Sequence, residues 1–390
     1  MLALVFWLSV LVVVHSYVLY PLSLVALDAL RRARSDDALL QAGPERRALG
    51  GREPPSVSVL VAAHNEAACI EAKVKNTAEL DYAPGKHELL VGSDGSTDAT
   101  EALARKHEGP FVRVLSTPRG GKAAMLGRLA EHATGDLLVF TDANTVLGRG
   151  ALLELARAFE DPDVGCVLGN LRLVGRGEAG RSEGAYWRYE RLLKLWESRL
   201  GAGTGAAGGL YAIRRRLWRP LPSGTVVDDF LVSMRVLLAG EKVAFAPLAL
   251  AEEDAPDAYA DEFRRRARIA AGNWHALAQV TELLSPRRGL VAYALWSHKV
   301  LRWTTPAFLA LALASSLVLA ADGSGFYAAL LAAQSALYAS ALLNSRGLKL
   351  PLSGLCRHFV EMNAALAVGA WRFFRGAQGV TWAPTARATR

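Results

Sequence analysis

Four short polar clusters carry the residue types that chemistry needs: His64-Asn65-Glu66, Ser93-Asp94-Gly95-Ser96-Thr97-Asp98, Arg119-Gly120-Gly121-Lys122 and Asp142-Ala143-Asn144. Their carboxylates suit a base, a ribose hydroxyl or a metal ion, and a lysine behind two glycines suits a phosphate. Each cluster also has an ordinary structural use. Asn65-Glu66 and Ser96-Thr97-Asp98 can cap helices, and Asp94-Gly95 can make a turn. Gly120-Gly121-Lys122 lacks the GxxxxGKS/T spacing of a P-loop, and no GxGxxG follows the first apolar run, which disfavours an ATPase or a dehydrogenase. Further along, Asp228-Asp229 opens the apolar stretch Phe230–Leu238, where it can cap a helix.

The elements that must position these clusters are legible around them. Short β-branched runs, Val57–Val61, Leu89–Gly92, Val112–Leu115 and Leu137–Phe140, alternate with helix-like stretches at Ala67–Leu80, Asp98–His107 and Lys122–His132. Such alternation predicts βαβ units and a mainly parallel sheet, an α/β fold. Ligands on these sheets gather beyond the carboxyl ends of the strands. All four clusters stand at such ends and face one crevice, and this recurrence gives them more weight together than any has alone.

The 390 residues are 52% hydrophobic and only 21% charged, with a mean hydropathy of +0.18. Disorder, collagen and a small disulfide scaffold are excluded. Cys69, Cys166 and Cys356 lie far apart without metal-ligand spacing, as expected of a reduced setting. The net charge of +8 does not form a basic stripe with interleaved aromatics, so no nucleic acid is expected. Most basic residues flank apolar runs instead. Residues 1–30 read as a transmembrane anchor, because His15 is the only His, Lys, Arg, Asp or Glu between Leu2 and Leu27 and no basic residue precedes the run as in a signal peptide. Residues 304–344 read as a transmembrane hairpin split by Asp322-Gly323-Ser324-Gly325, with residues 286–303 as an interfacial segment before it. Residues 356–390 read as an interfacial or re-entrant segment with a basic tail, a buried soluble helix being the alternative. Arg31, Arg32 and Arg34, Lys299 and Arg302, and Arg346 and Lys349 place the 55–280 domain in the cytoplasm, with the N-terminus outside and the C-terminus inside.

Val59–Glu66, Ser93–Asp98, Gly121-Lys122-Ala123 and Thr141–Asn144 together resemble, in order and spacing, the nucleotide-sugar half of membrane-bound family-two glycosyltransferases of GT-A fold. Cellulose, chitin, hyaluronan and poly-N-acetylglucosamine synthases are of that kind. The likeness continues through Gly208–Arg215, Asp228-Asp229 and Arg264–Trp274 to Trp382-Ala383-Pro384-Thr385, roughly residues 55–385.

The resemblance implies that Glu66 and Asp94 hold a uridine, that Lys122 meets its ribose or phosphates, and that Asp142 is the first acid of a DxD motif touching nucleotide and metal. It implies Asp229 as the general base, with Asp228 beside it, and Arg268 near the pyrophosphate. Mg2+ or Mn2+ is the implied cofactor. Two positions depart from the pattern. Asn144 stands where a second metal-binding aspartate is usual, and a neutral amide is a weaker ligand for a hard cation. Arg265-Arg266-Ala267-Arg268-Ile269 stands where QxxRW is usual, so the acceptor-facing tryptophan is missing; Trp274 can stand in for it or simply pack. The expectation is an inverting transferase of the cytoplasmic (inner) membrane, moving a sugar from a UDP-sugar to a growing polysaccharide or a lipid-linked glycan. Single transfer to lipid and a non-catalytic sugar-nucleotide-binding subunit are the alternatives. Three spans are few for a conduit, so an export partner or an oligomer is expected for any exported product.

Overall fold

The structure, a computed structural model, describes residues 1–39, 53–174, 178–206, 208–254 and 259–376. Trp382–Thr385 and the arginines of the tail beyond Arg375 lie outside the described residues. Eight strands form one sheet: β1 (Val57–Ala63), β2 (His87–Asp94), β3 (Val112–Thr117), β4 (Leu137–Phe140), β5 (Val146–Leu147), β6 (Val164–Val174), β7 (Tyr211–Arg214) and β8 (Lys242–Asp254). Their order is β3-β2-β1-β4-β7-β6-β8-β5. The pairs β3-β2, β2-β1, β1-β4 and β6-β8 are parallel, whereas β4-β7, β7-β6 and β8-β5 are antiparallel. The sheet is therefore mainly parallel, as the alternating pattern predicts, and its antiparallel pairs lie in the second half.

Every residue of β1 is buried, so the strand needs apolar side chains on both faces rather than alternation. Its pleat sends Val57, Val59, Val61 and Ala63 into one hydrophobic layer and Leu60 and Ala62 into the other. In β4, likewise, Leu137 and Val139 face one layer and Leu138 and Phe140 the other. The Lys122–His132 helix sits against β2 at Gly92, where a Cβ would lie 2.2 Å from Met125 Sδ. That close approach fixes the height of Lys122 above the strand ends.

Among the described residues three helices are long and apolar enough to cross a membrane: Leu2–Arg31, Leu290–Ala321 and Gly325–Ser345. Large apolar side chains such as Leu4, Leu22, Leu317 and Leu342 stand exposed on them, as a bilayer-facing surface would. Residues 286–303 are not a separate surface segment. Apart from a short turn at Pro286–Arg288, they form the first part of the helix that runs from Leu290 to Ala321, with a π-helical turn at Leu295–Val300. Residues Ser353–Phe374 form one helix that packs against the Tyr259–Ala278 helix and the Gly325–Ser345 helix. Among the described residues the sheet domain packs directly against the candidate membrane helices. Leu295, Val300 and Trp303 belong to the same hydrophobic layer as Leu60, Phe140 and Phe230.

Candidate active site

The first two strand ends are tied to each other. Asn65 has a left-handed backbone, φ 56°, and its Oδ1 accepts the Thr97 N–H at 2.8 Å. Thr100 Oγ1 accepts the Glu66 N–H at 2.7 Å, and Asp98 Oδ2 accepts the Ala67 N–H at 3.1 Å. Asn65, Thr97 and Asp98 thus serve the loop and cap roles open to them, and the Glu66 side chain lines the cavity. Asp94 does not. It is 2% exposed, and its carboxylate accepts the Gly120 N–H at 2.6 Å and the Gly121 N–H at 2.9 Å. The structure puts Asp94 beneath the third loop, which its carboxylate holds in shape.

That loop releases Lys122 at the first position of its helix. Its ammonium lies 2.9 Å from Asp142 Oδ1 and 3.2 Å from Asp228 Oδ1. Burial alone would lower the lysine, but the carboxylates of Asp142 and Asp228 outweigh it and hold the ammonium well above its ordinary range. Asp228 and Asp229 open the Asp228–Leu238 helix. Asp228 Oδ2 accepts the Tyr211 hydroxyl at 3.2 Å, and Asp229 Oδ1 accepts the Phe230 N–H at 2.8 Å, so Asp229 meets an amide of its own helix's first turn while keeping its other oxygen toward the cavity. Burial, and then the neighbouring Asp228 carboxylate, push Asp229 up to about 7 against the pull of Lys122. Gly208 passes over the cluster. A Cβ there would lie 3.5 Å from Asp142 Oδ2 and 3.6 Å from both Asp229 Oδ2 and Lys122 Nζ, so those three charged tips converge on one point of backbone.

Below β4 lies a residue that the motifs do not reveal. Lys73 is 2% exposed and donates to Thr141 Oγ1 at 2.9 Å and to the Thr145 carbonyl at 2.6 Å, which brackets Asp142-Ala143-Asn144 from beneath. Burial lowers its ammonium to about 7, opposed first by Asp142. A sequence signal exists: Ile70, Lys73, Val74 and Thr77 occupy the i, i+3, i+4, i+7 stripe that a helix buries. Asn144 Nδ2 donates to Glu253 Oε1 on β8 at 3.3 Å, and Glu253 lines the cavity as well.

Arg268, on the Tyr259–Ala278 helix, lines the same cavity, and burial followed by the nearby Arg265 lowers its pKa. Arg265 and Arg266 also reach the cavity and pair with Glu262. Trp274 does not line it. Trp274 packs on Trp303 and Phe373, with ring centroids 5.4 Å and 6.2 Å away, and it is Trp303 that faces the cavity. The cavity has a volume of about 1130 Å3 and runs from Glu66, Lys122 and Asp142 to Tyr17, Arg302 and Phe359 on the membrane-associated helices.

Among the described residues no group of three or more His, Cys, Asp and Glu could hold a metal by itself. Asp142 supplies one carboxylate and Asn144 one amide, and a divalent cation wants about six oxygens. This donor set fits a cation whose remaining ligands come from a diphosphate and water.

A cavity beyond the carboxyl ends of a mainly parallel sheet, lined by carboxylates, a lysine and arginines, belongs here to a GT-A-like fold. Residues 58–218 match the model of Glycosyl transferase family 2, and the chain carries a family-two glycosyltransferase domain. It is 25% identical over 251 residues to a probable glycosyltransferase of Bacillus subtilis, YdaM, covering 58% of this chain and 57% of that protein. Against a poly-beta-1,6-N-acetyl-D-glucosamine synthase of Staphylococcus aureus it is 25% identical over 237 residues, covering 58% and 56%. The chain thus spans little more than half the length of these relatives. The solved structure of the mannosyltransferase PcManGT from Pyrobaculum calidifontis, in complex with GDP-Man and Mn2+, superposes with a TM-score of 0.67 and 25% identity over 95% of this chain and 99% of that one.

Proposed function

We propose that the protein transfers a sugar, with inversion, from a nucleoside-diphosphate sugar to a lipid-linked glycan or growing polysaccharide at the cytoplasmic face of the membrane. The observation that carries this reading is the convergence of Lys122, Asp142, Asp228 and Asp229 in a cavity whose far wall is built by membrane helices. Asp229, raised to about 7, is matched to take a hydroxyl proton near neutral pH. Lys122 and Arg268 neutralise the departing diphosphate, and Glu66 is placed for the nucleoside. Mg2+ or Mn2+, held by Asp142 and by Asn144 together with the diphosphate, would add positive charge at the leaving group. Lys73 keeps the strand end that carries Asp142 and Asn144 in register.

The donor is proposed as a UDP-sugar from the residue resemblance. A GDP-sugar is the second reading, favoured by PcManGT, whose structure holds GDP-Man and matches 95% of this chain. Release of nucleoside diphosphate by the purified protein, screened across UDP- and GDP-sugars with Mg2+ or Mn2+, tests both. Turnover with neither class would overturn the transferase reading.

A further inference from the structure

Two lysines on the membrane side of the cavity are not used by the chemistry above. Lys194 lies on the Glu178–Arg199 helix, and Lys299 lies in the π-helical turn at Leu295–Val300. Both line the cavity. The carboxylates around them are already engaged. Glu190 takes Arg302 on one oxygen and His298, at 3.3 Å, on the other. Glu197 Oε1 accepts Tyr20 OH at 2.6 Å and faces His298 Nδ1 at 2.5 Å, while its Oε2 accepts Thr204 Oγ1 at 2.8 Å and the Thr204 N–H at 3.1 Å. No hydrogen bond or ion pair joins either lysine ammonium to a described residue. Burial followed by Lys299 lowers Lys194, opposed by Glu190, Asp229 and Glu197, and the carboxylates that act on Lys299 are Glu190 and Glu197 and then Asp229. The two ammoniums stand as like charges on one cavity wall, and an anion shared between them would lower their mutual repulsion.

We propose that Lys194 and Lys299 form an acceptor-side anion subsite that takes the phosphate group of a membrane lipid. The inference rests on the transferase reading and gives its acceptor a chemistry. The donor's diphosphate belongs at the other end, where Lys122 and Asp142 stand, so the second anion comes with the acceptor. The wall beyond the lysines is built from Tyr17 on the first span, Trp303 on the second, and Leu355, Phe359, Met362 and Leu366 on the Ser353–Phe374 helix. That wall matches an alkyl chain arriving from the bilayer and offers nothing to free phosphate. A lipid phosphate held by the two lysines presents the group attached to it toward Asp229, the base.

The test uses the full chain in nanodiscs of neutral phosphatidylcholine and a fluorescent long-chain alkyl phosphate, with the matching alcohol and inorganic phosphate as competitors. We expect the alkyl phosphate to bind and the alcohol to compete about tenfold or more weakly, the effect of losing charged hydrogen bonds. Lys194→Gln with Lys299→Gln should bring the phosphate down to the level of the alcohol, and nucleoside diphosphate binding should be unchanged. Equal binding of phosphate and alcohol to the unmodified protein, a measurement that needs no variant, would overturn the proposal. So would a preference that survives the double substitution, or inorganic phosphate competing as well as the alkyl phosphate. Nucleoside diphosphate binding separates the two failures: its loss from the unmodified protein counts against the transferase reading, whereas its retention without a phosphate-lipid preference counts against the subsite alone.

Discussion

Replacing Asp229 with asparagine tests catalysis and folding together, in opposite directions. As a base, Asp229 must lose its proton, so kcat/KM of the unmodified protein should rise with pH and level off above about 7. Asp229→Asn should lower turnover by about 10²–10⁴-fold. Nucleoside diphosphate binding should remain, because Lys122 still bridges Asp142 and Asp228.

The stability effect follows from the same shift. An acid whose folded value lies above its unfolded value binds more protons when folded, so its charge works against folding as pH rises from about 4 to about 7 and stays at its full cost above that. A shift of this size corresponds to at most about 4 kcal/mol, and to less where cavity water reaches the carboxylate. Asparagine retains an oxygen for the Phe230 N–H and carries no charge beside Asp228. Thermal unfolding of the two proteins in the same detergent should then show the variant several degrees more stable at pH 8, with the difference shrinking toward pH 4. A variant that loses activity and is equally destabilised at both pH values would refute the argument, since it would show Asp229 serving the fold and not being strained by it.

Lys122→Gln removes the cation between Asp142 and Asp228; we expect nucleoside diphosphate affinity to fall about tenfold or more, read by calorimetry. Lys73→Met, which leaves Thr141 Oγ1 and the Thr145 carbonyl without their donor, should cost about 2 kcal/mol of stability and raise the donor KM, and an unchanged Tm and KM would contradict its bracketing role. Asn144→Asp should bind Mn2+ more tightly in the presence of nucleoside diphosphate, read by electron paramagnetic resonance. The same change should lower Tm without the ion, because it sets a carboxylate against Glu253 Oε1.

The first half of the site was legible because short strands and polar ends follow each other closely in sequence. Lys122 and Asp142 could be placed from their motifs, since each sits within a residue or two of a strand or helix terminus. For Asp94 the type and spacing mark a functional strand end, and the packing of the third loop over it adds that its carboxylate accepts from Gly120 and Gly121. Glu253 and Trp303 were out of reach for another reason. Glu253 enters the cavity from β8, 109 residues from the Asn144 it meets, and Trp303 enters from the second span, far along the chain from the Phe230 it packs on, and nothing local marks them. Lys73 was findable as a charge on a buried stripe, although such a lysine is easily taken for one that reaches solvent.

Asp229, the acceptor-side lysines and the membrane helices are linked by the way the domain sits on those helices. Phe230, next to Asp229, stacks edge-on with Trp303 of the second span at 5.8 Å between centroids. Gly205 passes close to both Phe230 and Lys299, and Thr204 beside it hydrogen-bonds Glu197, which also takes Tyr20 of the first span. The wall of the acceptor side therefore consists of the contacts that hold the domain to the helices, and the cavity would lose that wall if the two parts separated. A soluble fragment ending before Leu290 would keep Lys122, Asp142, Asp228 and Asp229 but lose Lys299, Arg302 and Trp303, and it would expose Phe230 and the apolar layer around it. The candidate membrane helices therefore complete the cavity, and under the proposed function the residues that join them to the sheet domain are also those an acceptor would meet.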